Sequence, residues 1–372
     1  MRTALTKYKA VLLRGVACVL FYSGLCRMIG LLVNRFQPKR KATGALAFPF
    51  IRKRRSRNLQ ILVYHRVNDD CDPFFPATPV AVFRRQMEYL ASCCAVCPLE
   101  DAVYRMKRQD LPDNAVAVTF DDGYRDNYLQ AFPLLKEFSI PATIFLATDA
   151  IGSGKLLWHD RVFAAFRQTR EPFLTAYGDC AKTYPLRTVE EKLVALVRVR
   201  RFLRSLGEQE RPVWIARLGE QLRVEDKTHL PGLMLTWDEV KIMQRHGVAF
   251  GSHSVSHPIL PRLSAERAVE EIYTSKQLIE EQLGTPARGF AYPNGTEEDY
   301  NDQIKGIIKD AGYACAVTTV FGANEIGRDV FELRRGQPWE HHLPTFATKL
   351  SWYRYVSSEA LPSGKGGEMN CL

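Results

Sequence analysis

Residues 115–124, AVAVTFDDGY, decide the fold, because an apolar run ends there in two adjacent carboxylates. The run Ala115–Phe120 is apolar almost throughout, which predicts a buried strand. Asp121 and Asp122 follow at the carboxyl end of that strand, and Gly123 permits a turn. Adjacent carboxylates repel each other unless a cation or a shared proton relieves the repulsion. The stretch therefore predicts either a functional site at a strand end or a solvated turn.

Apolar runs and amphipathic segments alternate from residue 59 onward. The predicted strands are Ile61–Tyr64, Ala115–Phe120, Ala142–Ala147, Val248–Gly251, Arg288–Tyr292 and Cys315–Thr319, and the predicted helices are Phe83–Ala91, Tyr128–Phe138, Asp238–His246, Ser264–Leu283 and Asp302–Ala311. Strands that alternate with helices imply a parallel α/β sheet with crossover helices. We expect a closed or nearly closed β/α barrel, with an open doubly wound sheet as the alternative.

Residues 152–232 break this alternation with a charged, helical pattern that contains no obvious strand. They predict a mainly helical insertion, which either covers the mouth of the barrel or decorates its surface. The predicted catalytic domain is 58–345, including this insertion, and 346–372 is predicted to be a C-terminal tail.

The positive charge of the chain is concentrated in residues 1–57, which contain fourteen Lys or Arg and no Asp or Glu. The rest of the chain carries 37 basic and 41 acidic side chains, so its body is slightly acidic and does not resemble a nucleic-acid-binding domain. Residues 11–33 are mostly apolar but contain Arg14 and Arg27. An apolar stretch followed by basic clusters favours attachment to an anionic membrane surface. A spanning helix, a signal peptide and a packed helix remain alternatives, and the side of the membrane, cytoplasmic or periplasmic, stays open.

Two further motifs follow predicted strands. His253 and His257 stand four residues apart directly after the strand Val248–Gly251, a spacing that lets both imidazoles face one way. Two neutral imidazoles and a carboxylate suit a catalytic zinc site that leaves one position for water. The alternative is a pair of hydrogen-bonded structural histidines.

The third motif, Tyr292-Pro293-Asn294-Gly295, ends the strand Arg288–Tyr292. Such a turn can direct a backbone N–H group, for example that of Asn294, toward a developing oxyanion, or it can be a simple turn. All three motifs lie at carboxyl ends of predicted strands, the face on which β/α barrels build their sites.

These motifs resemble those of the polysaccharide deacetylase family, the NodB-homology domain of carbohydrate deacetylases. Thr119–Tyr124 is similar to the first motif of the family and His253–His257 to its second, while Leu235–Val240, which contains Trp237 and Asp238, resembles the branch of biofilm and exopolysaccharide deacetylases. The resemblance covers roughly residues 59–340 and implies a distorted β/α barrel of about seven strands.

The resemblance also implies roles for individual residues. Asp121 would be the general base, and Asp122, His253 and His257 would hold Zn²⁺ or another divalent metal such as Co²⁺. Substrate-binding or supporting positions would be Tyr124, Tyr292, Pro293, Trp237, Asp238, Arg334 and His65.

Two departures from the family pattern affect the chemistry. Ala291 stands where the third motif usually begins with an arginine that steers the catalytic aspartate, and Arg334 or Arg335 is our hypothesis for a substitute. The late Leu-x-His motif, which supplies the general acid, is not recognisable. His341 and His342 are candidate acids, and His65 is a further histidine on the expected face.

The sequence thus predicts metal-dependent hydrolysis of N-acetyl groups on an amino-sugar polymer or glycan, with release of acetate. The alternative is a weakly active or inactive glycan-binding scaffold on the same fold. The expected partners are an N-acetylated polysaccharide and, through residues 1–57, a membrane.

Overall fold

The computed structural model describes residues 58–175, 177–178, 182–336 and 340–352, together with Cys18. The predicted membrane-associating segment 1–57, apart from Cys18, and the end of the predicted tail, 353–372, lie outside the described residues. Among the residues described, none of the helices combines the length and the apolar character needed to cross a membrane.

The described chain alternates strands and helices in the order that the sequence predicted. The strands are β1 Asn58–Tyr64, β2 Ala95–Val96, β3 Ala115–Phe120, β4 Ala142–Leu146, β5 Phe173–Thr175, β6 Thr183–Pro185, β7 Ala249–Ser252, β8 Gly289–Ala291, β9 Cys315–Val317 and β10 Asn324–Glu325. The helices are α1 Val80–Cys93, α2 Leu99–Arg108, α3 Phe132–Glu137, α4 Trp158–Gln168, α5 Val189–Ser205, α6 Glu210–Gln221, α7 Trp237–Arg245, α8 Ala265–Leu283, α9 Asp302–Asp310 and α10 Leu343–Trp352. A π-helical turn at Asn127–Ala131 leads into α3, and a short 3₁₀ helix occupies Leu260–Arg262.

The central sheet is a distorted parallel barrel, as the sequence predicted. Six strands pair in parallel in the order β1-β3-β4-β7-β8-β9. Residues 333–336 form the seventh strand, because Leu333 pairs in parallel with Val317 of β9 and Gly336 pairs in parallel with Leu62 of β1. This segment closes the ring, so the open-sheet alternative is wrong.

Alternation of side chains along the strands builds two apolar layers. In β1, Leu62 and Tyr64 pack with the helices α1 and α3, whereas Leu59 and Ile61 belong to a cluster fed by β3, β4, β8 and β9. Successive side chains of a strand point to opposite faces, so one sheet supplies both layers. A buried parallel sheet of this kind needs the near-continuous apolar runs seen in the sequence.

The insertion 152–232 forms a small unit with its own apolar core. Helices α4, α5 and α6 contribute buried residues such as Val162, Leu196 and Leu218 to one cluster. The expectation that the insertion contains no strand is wrong, because β5 and β6 form a short antiparallel hairpin.

The predicted boundary between domain and tail at residue 345 falls inside a helix. Helix α10 packs on α1 through Phe346, whose ring centroid lies 6.1 Å from that of Tyr89. Residues 346–352 therefore belong to the folded domain. The remaining domain boundaries stay predictions.

Candidate metal centre and catalytic carboxylate

Three strand ends bring the predicted ligands together. Asp121 and Asp122 follow β3, His253 follows β7, and the backbone N–H of His253 donates to the carbonyl of Leu146 in β4 at 2.9 Å. Parallel strands present their carboxyl ends at one edge of the barrel, which is why residues distant in sequence meet there.

Asp122, His253 and His257 form a compact buried group. The Oδ1 atom of Asp122 lies 3.5 Å from the Nε2 atom of His253 and 3.5 Å from the Nε2 atom of His257. The three donor atoms all lie within 4.8 Å of one another. The backbone of this group is strained, since Asp122 and His257 have positive φ angles of 71° and 57°. Such conformations cluster at functional sites, where the surrounding structure must hold them.

The hydrogen bonds of this group fit a bound cation. Nδ1–H of His253 donates to the carbonyl of Ala291 at 2.7 Å, which leaves the Nε2 lone pair directed at Asp122. The Oδ1 atom of Asp122 is buried and has no hydrogen-bond partner among the described residues. Two facing lone-pair acceptors with no proton between them are unfavourable unless a cation joins them. These residues therefore fit a divalent metal.

Burial sets the protonation of the three ligands. Burial, with smaller contributions from neighbouring charges, lowers the pKa of His253 and places that of His257 well below its usual value, so both imidazoles are neutral. Burial and then the charges of Asp121 and Asp160 raise the pKa of Asp122 well above its usual range. A bound cation would oppose that increase and favour the carboxylate form.

Asp121 is held by Arg335. The guanidinium donates from Nη1 to Oδ1 of Asp121 at 2.8 Å and from Nη2 to Oδ2 at 2.6 Å, and its Nε donates to the carbonyl of Thr318 at 2.7 Å. Burial alone would raise the pKa of Asp121, but the Arg335 charge, followed by that of His253, lowers the pKa to about 2. Asp121 is therefore an oriented, ionised carboxylate beside the metal ligands, as a general base requires.

Comparison with known proteins now identifies the family. A family model described as polysaccharide deacetylase matches residues 108–316, more than half of the chain. The chain belongs to the polysaccharide deacetylase family. The match contains Asp121, Asp122, His253 and His257, and it confirms the resemblance stated from the sequence motifs.

Individual relatives of this deacetylase are distant. It is 22% identical over 288 residues, 77% of this chain and 73% of the other, to YxkH of Bacillus subtilis (strain 168), which carries a provisional polysaccharide deacetylase name. It is 27% identical over 138 residues to a poly-beta-1,6-N-acetyl-D-glucosamine N-deacetylase of Staphylococcus aureus, a match that covers 37% of this chain and 47% of the other.

Solved structures share the fold. The Streptococcus pyogenes deacetylase PplD in complex with acetate has a TM-score of 0.52 at 20% identity, covering 76% of this chain and 92% of the other. IcaB from Ammonifex degensii has a TM-score of 0.51 at 19% identity, with coverages of 80% and 98%.

Of the two arginines offered as substitutes for the family arginine, the structure places Arg335 and not Arg334 against Asp121. Successive residues of the last strand point to opposite sides. The side chain of Arg334 lies against Gly322, and its backbone pairs with Asn324. The supporting role predicted for Arg334 is therefore wrong as a contact with Asp121, and Arg335 supplies the charge that Ala291 lacks.

His65 lies at the same edge of the barrel. Burial lowers the pKa of His65 to about 4, and the charge of Asp121 opposes this decrease while those of Arg335 and His253 add to it. These couplings place the imidazole near Asp121, as expected for a histidine at the end of β1.

The structure does not bring His341 and His342 into this site. His341 is exposed, and His342 begins α10, where its Nδ1 lies 2.8 Å from the hydroxyl of Thr345. The expectation that one of them is the general acid is not supported by their position, because α10 packs on the outer helix α1.

Tyr292 and Pro293 are core residues in this structure. Tyr292 is buried, stacks on Tyr300 at 4.8 Å between ring centroids, and donates its hydroxyl to the carbonyl of Phe331 at 2.9 Å. A direct substrate contact of the Tyr292 side chain is therefore wrong. Asn294 has a positive φ of 61° and a buried Nδ2 without a partner among the described residues, so its turn remains a candidate oxyanion site.

Trp237 and Asp238 form the start of α7. Thr236 and Glu239 make a capping box around them, and Asp238 is exposed in the first helical turn. A carboxylate there stabilises the helix N-terminus. Asp238 therefore has a helix-terminus position, while Trp237 packs at the edge of the main apolar cluster.

Tyr124 reaches two residues that the sequence reasoning missed. Its hydroxyl donates to Oδ1 of Asp160 at 2.9 Å and lies 3.0 Å from Nε2 of His159. Both belong to the insertion, and both are buried. The available signal was a histidine and an aspartate side by side in an apolar context, Leu157-Trp158-His159-Asp160, inside an otherwise exposed helical segment.

Proposed function

We propose that this protein hydrolyses the N-acetyl group of an amino sugar within a polysaccharide and releases acetate. The observation that carries the proposal is the convergence of one unpartnered carboxylate oxygen and two imidazoles, at 3.5 Å each, beside the ionised base Asp121. The deacetylase names of the relatives support the reaction type, and the Staphylococcus aureus relative makes poly-β-1,6-linked N-acetylglucosamine a natural first substrate to test.

The residues divide the chemical work as follows. Asp122, His253 and His257 would hold a divalent metal, which when bound lowers the pKa of water and polarises a carbonyl. Zn²⁺ suits this donor set best, with Co²⁺ as an alternative.

Asp121 accepts the proton of the water that attacks the amide carbonyl, while the two Arg335 hydrogen bonds fix the orientation of its carboxylate. The backbone N–H near Asn294 donates to the developing oxyanion. When the C–N bond breaks, the leaving nitrogen takes a proton, and His65 is the imidazole nearest in position to share that transfer with Asp121. The products are acetate and the free amine of the sugar.

Acetate release tests this function directly. Purified full-length protein with zinc should release acetate from β-1,6-linked N-acetylglucosamine oligomers or from another N-acetylated glycan. The variants Asp121→Asn and His253→Ala should each reduce the rate by at least about 100-fold, because they remove the base and a metal ligand. Absence of both acetate release and bound zinc would favour the glycan-binding scaffold instead.

We further propose that residues 1–57 attach the enzyme to a membrane surface. The support is compositional: fourteen basic residues, no acidic ones and an apolar stretch. Deletion of residues 1–57 should move the protein from the membrane fraction to the soluble fraction and leave acetate release unchanged. Unaltered fractionation would contradict the attachment and leave the hydrolase proposal intact.

A further inference from the structure

The insertion contacts the metal centre through the first turn of α4. Trp158, His159 and Asp160 are all buried there, although α4 belongs to a segment outside the barrel. The ring centroid of His159 lies 5.0 Å from that of the ligand His257, at an interplanar angle of 72°. This edge-on packing makes a residue of the insertion part of the wall around the ligand.

Hydrogen bonds fix the orientation of the His159 ring. The Tyr124 hydroxyl has a single proton and donates it to Oδ1 of Asp160 at 2.9 Å. The 3.0 Å contact between that hydroxyl and Nε2 of His159 is therefore one in which Nε2–H donates to the Tyr124 oxygen. Asp160, Tyr124 and His159 form a directed chain that ends on His257.

The two histidine ligands are supported in different ways. Nδ1–H of His253 donates to the carbonyl of Ala291 at 2.7 Å, which sets the rotation of that ring. Nδ1 of His257 is buried and has no hydrogen-bond partner among the residues that the structure describes. Metal-binding histidines are usually oriented through their second nitrogen. For His257, the packing of His159 is the contact that can perform this task.

The far side of the insertion is anchored to the barrel as well. Arg204 of α5 donates to the buried carboxylate of Asp299 at 2.7 Å and to the hydroxyl of Thr296 at 3.0 Å, in the loop after β8. Glu208 pairs with Arg267 of α8 at 2.8 Å. The insertion is thus fixed at two places, and α4 is held against the site.

We propose that His159, held by Tyr124 and Asp160, is a positioning residue that orients His257 for metal binding. The insertion is then a structural part of the metal centre and not a surface decoration. This inference rests on the proposed function only in assuming that a metal binds, and it is tested by metal affinity.

The experiment measures zinc affinity of the full-length protein by competition with a chromophoric chelator, and the visible absorption of the Co²⁺-loaded protein. The variants are His159→Ala, Tyr124→Phe and the double variant. Val162→Ala is the matched control, because Val162 is buried on the same helix in the core of the insertion. A purely structural role of α4 would make the control behave like His159→Ala.

We expect His159→Ala to weaken zinc binding by about 10-fold or more, with an altered Co²⁺ spectrum, since contacts that orient a ligand affect affinity on this scale. Tyr124→Phe should weaken binding less, and the double variant should match His159→Ala, because Tyr124 acts through His159. Val162→Ala should lower Tm and leave zinc affinity unchanged.

Zinc affinity of folded His159→Ala within twofold of the unmodified protein would overturn the inference, as would a double variant whose loss is the product of the two single losses. If His159→Ala does not fold, Tyr124→Phe decides, and unaltered affinity there overturns the inference. Lack of zinc binding by the unmodified protein would instead refute the proposed metal centre and this inference together, which distinguishes the two failures.

Discussion

Replacement of Arg335 by alanine should leave Asp121 as a buried carboxylate without its counter-ion. Both side chains are buried, and the guanidinium makes two hydrogen bonds to the carboxylate at 2.8 and 2.6 Å. Removing one partner of a buried ion pair typically costs about 3–5 kcal/mol, because the remaining charge stays desolvated. We expect a decrease of that order in the unfolding free energy of Arg335→Ala at pH 7, measured by urea denaturation.

The same substitution should change the protonation of the base. The pKa of Asp121 is about 2 in the folded protein, because Arg335 outweighs the effect of burial. Without Arg335, burial dominates and raises the pKa, so a smaller fraction of Asp121 is ionised near neutral pH. We expect kcat/KM at pH 7 to fall by about 100-fold, equivalent to about 2.7 kcal/mol, and its acidic limb to move to higher pH.

The pH dependence of stability provides a second readout with a defined sign. A carboxylate whose folded pKa of about 2 lies below its unfolded value of about 3.9 stabilises the protein above pH 4. That contribution is lost as the pH falls through about 2. Arg335→Ala lacks it, so the difference in unfolding free energy between the two proteins should shrink below about pH 4.

Two variants make the test specific. Arg334→Ala is the matched control, since Arg334 lies on the other side of the same strand, against Gly322. It should retain turnover and the original acidic limb. Arg335→Lys keeps the charge but not the two-point geometry and should recover part of the activity. An Arg335→Ala enzyme with unchanged turnover and an unchanged acidic limb would refute the reasoning.

Three further outcomes are expected. Zinc at 100 times its Kd should raise Tm by roughly 5 °C in a thermal melt, because it stabilises the folded state by about 2.7 kcal/mol; equal melts with zinc and with a chelator would argue against the site. Glu271→Gln should cost about 1–3 kcal/mol in urea unfolding, since the Glu271 carboxylate accepts from the backbone N–H groups of Val255 at 2.8 Å and Ser256 at 2.9 Å, in the loop between the two histidine ligands; an unchanged midpoint would show that the loop does not need this anchor. Gly251→Ala should lower Tm by several degrees, because a Cβ there would lie 2.6 Å from the ring of Phe145, and an unshifted melt would mean that the ring relaxes freely.

The sequence determined the barrel and the position of its ligands. Alternating apolar runs and amphipathic helices carry their signal locally, in periods of about two and 3.6 residues, so the strands ending at Phe120, Ser252 and Ala291 were predictable. Once the strands are parallel, Asp121, Asp122 and His253 must meet at one edge, and no further information is needed to place them.

Tertiary structure decided which neighbours complete the site. Arg334 and Arg335 are adjacent in the chain, and only the pairing of residues 333–336 with β1 and β9 determines which of them faces Asp121. A shift of one residue in a strand reverses every side chain, and the local sequence does not contain that register.

The insertion shows the same limit over a longer range. His159 and Asp160 meet Tyr124 because α4 packs over the barrel, a contact set by the core of the insertion and by its anchors at Asp299 and Arg267. Sequence patterns report which face of a helix is apolar, but not which element that face will cover. The sequence by itself therefore determined the metal ligands and the base, whereas only the tertiary structure decided which residues orient them, because orientation depends on register and packing between segments far apart in the chain.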